Sequence, residues 1–314
     1  MKILVTGATG FVGSNLVAKL QEKNHIVVGT SRRASGNAQT LVNIGQISNK
    51  TDWSVALKGC ETVVHTAGRA HVMDDRAKDK LAEFRRVNCD ATLKLAQDAQ
   101  VAGVKHFIFI SSIGVNGNET YGTPFTEQSV PKPTSEYAIS KLEAEEALKK
   151  QFANSDMAIT VIRPALICGE NAPGNIRRLL TIVASGLPLP FKGVKNKRGM
   201  ASLDNVVSFI TACIENPQSK NELFLLADKS APSTEEIVRA FSLGMQKPAR
   251  VMWFPSCLLG FALRLTGKKN LYDQLYGSLE IDVSKAMTLL NWQPPVTIDE
   301  TMKKTAAYFV KENK

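Results

Sequence analysis

The sequence has little cysteine, and what it has is scattered: Cys60, Cys89, Cys168, Cys213 and Cys257 in 314 residues. An odd number with no C-x-x-C pair argues against a disulfide framework and against a zinc site, so no metal is expected and the thiols read as buried and reduced. Long apolar runs are missing as well. The most apolar late stretch, Val251 to Leu265, contains Pro255 and Arg264 and falls short of the ~20 residues a transmembrane helix needs. It reads as a core helix, with attachment to a membrane surface as the alternative. The first residues enter a strand-like run that a glycine turn ends, without the apolar core and cleavage site of a signal peptide, and a cytoplasmic location is expected. Internal repeats and low-complexity segments are absent. So is any arginine-rich run: Lys and Arg outnumber Asp and Glu by 39 to 29, yet they are spread along the chain, and no nucleic-acid partner is expected.

What is present is the composition of a packed protein, 44% hydrophobic and 22% charged. At roughly 150 residues per domain, the length suggests two domains or one large one with an appendage. Apolar β-branched runs alternate with helical patterns: strands Ile3 to Val5, Ile26 to Thr30, Thr62 to His65, Phe107 to Ile110 and Ala158 to Ile162, and helices Phe11 to Gln21, Leu81 to Ala102 and Ser135 to Lys150. That alternation predicts an α/β fold with a doubly wound parallel sheet. After Arg163-Pro164, Gly and Pro punctuate the chain and the helical patterns shorten. A smaller lobe is expected over 166–314 beside a first domain over 1–165, with Leu223 to Ala227 returning a late strand to the sheet.

The first strand ends in Thr6-Gly7-Ala8-Thr9-Gly10-Phe11-Val12-Gly13, a G-x-x-G-x-x-G spacing that opens a helix. Glycines there permit a tight bend and close backbone approach, and the helix N-terminus offers free N–H groups and a positive dipole to a pyrophosphate. No Gly-Lys-Ser/Thr follows, so it is not a P-loop. At the end of the second strand an acid would accept from the adenosine ribose of NAD(H), whereas arginine suits the 2′-phosphate of NADP(H). Gly29-Thr30-Ser31-Arg32-Arg33 has no acid. NADP(H) is favoured on Arg32 and Arg33, and NAD(H) remains open.

Tyr137 and Lys141 stand at i and i+4 near the start of a helix, on one face. An ammonium beside a phenol stabilises the phenolate and lowers its pKa from ~10. Ser111-Ser112 ends the preceding strand, where ligands of open α/β sheets bind. These residues, with the glycine turn, His65-Thr66-Ala67-Gly68, Asn88 and Arg163-Pro164, occur in the order found in extended short-chain dehydrogenase/reductases, and the sequence resembles their nucleotide-sugar epimerase, dehydratase and ketoreductase branch.

The resemblance implies a Rossmann-type coenzyme domain and a C-terminal substrate lobe. It implies Ser112, Tyr137 and Lys141 as catalytic residues, and Gly7, Gly10, Phe11, Val12, Gly13, Arg32, Arg33, Ala67, Gly68, Asn88, Ser111, Tyr137, Lys141 and Arg163 around the coenzyme. His71, Ser112, Asn175 and Arg198 would meet the substrate, a nucleotide sugar, with UDP expected; a homodimer is the allowed assembly. Gln46 stands where many relatives carry an adenine-binding Asp. An epimerase returns the hydride it removes and keeps its coenzyme, whereas a reductase exchanges it. Arg32-Arg33 therefore tilts the expectation to NADPH-dependent reduction of a UDP-4-keto-6-deoxyhexosamine of the UDP-N-acetylquinovosamine type, in surface polysaccharide synthesis. A UDP-glucose or UDP-N-acetylglucosamine 4-epimerase with retained NAD is the alternative, and a coenzyme-binding regulator the second, which the intact Ser, Tyr and Lys oppose.

Overall fold

A computed structural model describes residues 1–32, 38–70, 79–255, 258–260 and 269–313, with backbone alone for 269–271. In chain order it contains β1 (Lys2–Thr6), α1 (Phe11–Glu22), β2 (Ile26–Ser31), β3 (Thr40–Asn43), α2 (Ser54–Leu57), β4 (Thr62–His65), α3 (Lys80–Arg85), α4 (Ala91–Val101), β5 (His106–Ile110), α5 (Glu136–Gln151), β6 (Ala158–Pro164), β7 (Leu166–Cys168), α6 (Gly174–Ala184), β8 (Met200–Ser202), α7 (Leu203–Glu215), β9 (Leu223–Leu226) and α8 (Thr234–Gly244). Helices Lys269–Tyr276, Ser284–Leu289 and Ile298–Glu312 complete it.

Seven strands form one parallel sheet in the order β3-β2-β1-β4-β5-β6-β9. Strand period sends alternate side chains to opposite faces. Ile3 and Val5 of β1 pack with Leu16, Val17 and Leu20 of α1 and with α7, whereas Leu4 joins Trp53, Leu57 and Leu95 on the other side. The same split places Ile108 and Ile110 of β5 opposite Phe107 and Phe109. Each such buried side chain contributes about 1.5–3 kcal/mol relative to exposure. With both faces covered, the sheet is doubly wound as its alternating sequence predicts. The strand order reverses between β1 and β4, which opens a crevice beyond their carboxyl ends, where ligands of such sheets bind.

Two sequence expectations need correction. The single helix foreseen from Leu81 to Ala102 is interrupted: α3 and α4 are joined by a π-helical turn, Arg86–Asp90, whose wider spacing turns Asn88 inward. The stretch Val251 to Leu265 is not helical over 251–255, whereas 258–260 are helical with Gly260 buried. Val251 forms an extended bridge with Leu189, and Met252, Trp253, Phe254 and Leu258 are exposed. Only Val251 and Met252 are tied to the neighbouring segment, and no described surface covers the apolar side chains that follow; 256–257 and 261–268 lie outside the described residues.

A separate core cluster holds Ile176, Leu180, Phe191, Phe241 and Met302 beside the short parallel pair β7–β8. Capping boxes at Ser233 with Glu236 and at Thr297 with Glu300 start two of its helices. The chain also crosses back after residue 165: β9 pairs with β6, and Phe209 of α7 packs edge-on between Phe224 and Trp292 at 5.2 and 5.1 Å. The loop after β5 is stitched to the C-terminal part by Thr120 N–H to Ser278 O and Phe125 N–H to Glu280 O, at 2.7 and 2.9 Å.

Candidate active site

The β1–α1 turn is built as its glycines require. Gly7 has φ +67°, in the region that favours glycine, and its carbonyl accepts from the Gly10 N–H at 2.8 Å. A Cβ on Gly13 would fall on that same carbonyl, well inside contact distance. Gly10 caps α1 without a side-chain bond and no acid occupies the first turn, so the helix's leading N–H groups and positive dipole are left for an anion. Phe11 and Val12 begin the helix and pack against the first core.

A buried relay ties this turn to its neighbours. Thr66 Oγ1 donates to Thr6 O at 2.6 Å, and Ala67 N–H donates to Thr6 Oγ1 at 3.2 Å. Thr6 Oγ1 lies 2.7 Å from His65 Nδ1, whose Nε2 lies 3.0 Å from Thr92 Oγ1. Thr92 already donates to Asn88 O, so its oxygen accepts from His65 Nε2–H, and Nδ1 accepts from Thr6. Burial, with help from the Lys141 charge, pushes His65 down to about 3, so the ring is neutral.

Asn88 joins the loop after β4 to α5. Its Oδ1 accepts from Arg69 N–H at 2.8 Å, and its Nδ2 donates to Arg69 O and to Ser140 Oγ, both at 3.1 Å. Ser140 donates in turn to Tyr137 O at 2.7 Å. Gly68 closes this corner: a Cβ there would stand 3.1 Å from Asn88 Oδ1 and 3.5 Å from Lys141 Nζ. The structure thus brings Ala67, Gly68, Asn88, Tyr137 and Lys141 together beside the glycine turn.

Helix α5 starts at Ser135, whose side chain accepts from Ala138 N–H. Tyr137 packs edge-on to Phe84 at 6.1 Å. Lys141 is buried, donates to Ile110 O at 2.8 Å, and lies 4.5 Å over the Phe109 ring. Ser112 follows β5 and accepts from Gly114 N–H at 3.1 Å; a Cβ on Gly114 would touch both Ser112 Oγ and Ala138 of α5 at 3.4 Å. One expectation fails here. Burial alone pushes the Tyr137 phenol up to about 12 rather than down, and Lys141, which donates to Ile110 O, is itself pushed down to about 8 by burial, against the pull of Glu145. Tyr137 is therefore a protonated donor in this state.

Arg163 and Ser111 do not reach towards a coenzyme. Ser111 Oγ donates to Glu145 Oε1, and Arg163 bonds Glu145 through Nε and Nη2 and Asn116 Oδ1 through Nη1. A guanidinium this deeply buried needs a carboxylate, which decides its direction. Glu145 and Asn116 were not foreseen, although Glu145 sits four residues after Lys141 and so on the same helix face. Asn175 is exposed in the first turn of α6, which has no side-chain cap. Arg198 donates to Gly277 O at 3.2 Å, and burial lowers its pKa while Glu119 opposes. Neither shares a bond with Ser112 or Tyr137. Arg32 is exposed; Arg33 and His71 lie outside the described residues. Among the described residues no cluster could hold a metal ion.

These features fit a dinucleotide. The Gly7–Gly13 cradle would take a pyrophosphate, Thr30 Oγ1 at the end of β2 is a buried hydroxyl without a partner among the described residues, and Lys141 with Asn88 borders the far side. Residues 3–227 match the sequence profile described as the NAD dependent epimerase/dehydratase family. The chain belongs to this family.

Family members of similar sequence include a UDP-glucose 4-epimerase from Vibrio cholerae, 39% identical over 99% of this chain and 96% of that protein. An N-acetyl-alpha-D-glucosaminyl-diphospho-ditrans,octacis-undecaprenol 4-epimerase from Escherichia coli O157:H7 is 27% identical over 98% and 94%. Among solved structures, a Thermotoga maritima UDP-glucose 4-epimerase with UDP-glucose superposes with TM-score 0.77 at 23% identity, covering 100% of both chains. A Bacillus cereus UDP-glucuronic acid 4-epimerase in complex with NAD gives 0.79 at 22%, covering all of each chain. At these identities the structures establish the shared fold. The family enzyme is of the NAD-dependent nucleotide-sugar epimerase/dehydratase type.

Proposed function

We propose that this enzyme is a 4-epimerase of a UDP-linked hexose that keeps NAD bound through each turnover. What supports this reading is Ser112 packed through Gly114 against the start of α5, which carries Tyr137 and Lys141, with Lys141 reaching Gly68 after β4, in a chain similar along almost its whole length to a relative named UDP-glucose 4-epimerase. NAD, when bound, supplies a reversible hydride acceptor. Tyr137 moves the proton at the C4 oxygen, giving it to a ketone and taking it back from a hydroxyl in the reverse sense. Lys141, one turn along the same face and bordering Gly68, is the cation offered to the nicotinamide ribose, and Ser112 donates to the same C4 oxygen as charge develops there. Asn88 donates to Ser140 Oγ, which donates to Tyr137 O, and this chain of bonds orients Tyr137 at the start of α5. Arg198 and Asn175 are the groups offered to the diphosphate.

NAD rather than NADP(H) is supported by the NAD-containing neighbours; the arginine at the end of β2 is the one feature favouring NADP(H) and a reductase. Proton NMR of UDP-glucose, UDP-galactose, UDP-GlcNAc and UDP-GalNAc with purified enzyme and no added coenzyme tests the two. Interconversion of a C4 pair supports the epimerase. Stoichiometric NADPH oxidation with a UDP-4-keto-6-deoxyhexosamine, and no interconversion, overturns it. An undecaprenyl-diphosphate sugar run in parallel tests whether the diphosphate is carried on a nucleotide or a lipid.

A further inference from the structure

The charge of the chain is segregated in a way its total hides. Residues 171–203 and 237–272 hold twelve Lys and Arg and no Asp or Glu, so the rest of the chain, with 27 cations and 29 acids, carries a net −2 of the overall +10. The fold brings the two acid-free segments together. Leu189 bridges Val251, Leu189 N–H donates to Arg250 O, Met252 N–H donates to Leu189 O, and Lys192 N–H donates to Met252 O. Lys247 Nζ and Arg250 Nη1 reach across to Ala184 O and Gly186 O. At this junction the chain exposes Met252, Trp253 and Phe254 in a row, Trp253 at 69% of its surface, with Leu258 beyond and Leu187 on the adjoining segment at 62%. Other exposed large apolar residues, such as Val55, Val101 and Val130, stand singly, which is ordinary for a protein surface. A consecutive apolar run that starts from a residue bonded to the neighbouring segment is not.

We propose that the Met252–Phe254 run, with Leu187 and Leu258, docks this enzyme on the surface of an anionic lipid bilayer. The charge decides the occupant. Arg177, Arg178, Lys195, Lys247 and Arg250 form no salt bridge among the described residues, so the apolar tip sits in a cationic field that repels a second copy of the same face and attracts acidic headgroups. Tryptophan and phenylalanine suit the interface, since their apolar rings enter the acyl boundary while the cations stay among the headgroups. No described helix is long and apolar enough to span, which makes this attachment peripheral. The proposal stands apart from the reading of the active site.

The test uses the full-length protein with vesicles of phosphatidylcholine alone and with about one-third phosphatidylglycerol. Trp53 and Trp292 are buried, so a change in tryptophan emission reports Trp253. Flotation with the anionic vesicles, a blue shift, quenching by brominated acyl chains and at least tenfold weaker binding in 0.5 M NaCl are expected. The double variant Trp253→Ser, Phe254→Ser should bind at least tenfold less while keeping its melting temperature and its turnover of a water-soluble sugar nucleotide. Equal binding to neutral and anionic vesicles, binding without a tryptophan shift, or a concentration-dependent dimer that the double variant abolishes would each overturn the proposal.

Discussion

Arg163 and Glu145 form an ion pair almost wholly withdrawn from solvent, with Nη2 2.5 Å from Oε2. Through Ser111 on one side and Asn116 on the other, the pair holds the residues that bracket Ser112. Removing one partner strands the other charge in the interior. Glu145→Ala should therefore lower unfolding free energy by about 3–5 kcal/mol in urea titration. An apolar double replacement, Glu145→Leu with Arg163→Met, should recover much of that loss; a single variant within 1 kcal/mol of wild type would show that the pair is not desolvated as described.

Tyr137→Phe removes the hydroxyl and keeps the ring against Phe84. Its kcat should fall on the order of 100-fold or more, the usual worth of positioned acid–base catalysis, with NAD affinity nearly unchanged. Calorimetric titration alongside turnover separates the two. Near-wild-type turnover would remove Tyr137 from the chemistry.

Stability should decline in mild acid. His65 and His106 are buried as neutral rings and pushed down to about 3 and about 4 from an ordinary 6.5. The unfolded chain takes up protons below pH 6.5 that the folded chain refuses, so stability is complete above 6.5 and is lost as pH falls towards 4. Each ring should cost on the order of 2 kcal/mol between pH 7 and 5. His106→Gln, which keeps a donor towards Thr160, should flatten about half of that slope in urea titrations; an unchanged slope would contradict the assignment.

Arg32 is exposed at the exit of β2. If NAD is the working coenzyme, Arg32→Ala should change its affinity by no more than about 0.5 kcal/mol, as for other surface substitutions. A loss of about 1.5–3 kcal/mol confined to NADP(H), the scale of a charge-assisted hydrogen bond, would mark a 2′-phosphate reader and favour the reductase. Titration calorimetry with both coenzymes distinguishes the cases.

The sheet and the glycine turn were readable because their causes are local: strands show an apolar period, and Gly7 and Gly13 answer to a steric demand within seven residues. Tyr137 and Lys141 were readable as a helical pair. The partners that hold them were not. Glu145 meets Arg163 only because α5 packs on β6, and Asn88 faces Ser140 only because a π turn re-aims it, a change no periodicity announces. The lowered phenol pKa foreseen from Lys141 failed because spacing shows proximity and not the burial that raises a phenol. Met252, Trp253 and Phe254 misled for a related reason: hydrophobicity predicts burial only when another surface is there to cover it.

The most direct test of the epimerase account follows one hydrogen. UDP-glucose deuterated at C4 is incubated with the enzyme without added coenzyme, and the UDP-galactose formed is analysed by mass spectrometry and NMR. An enzyme that takes the hydride from C4 and returns it to the same carbon gives product with deuterium retained at C4. Loss of the label to solvent or to free coenzyme, or no galactose product while NADPH is consumed with a 4-keto sugar nucleotide, would contradict the account.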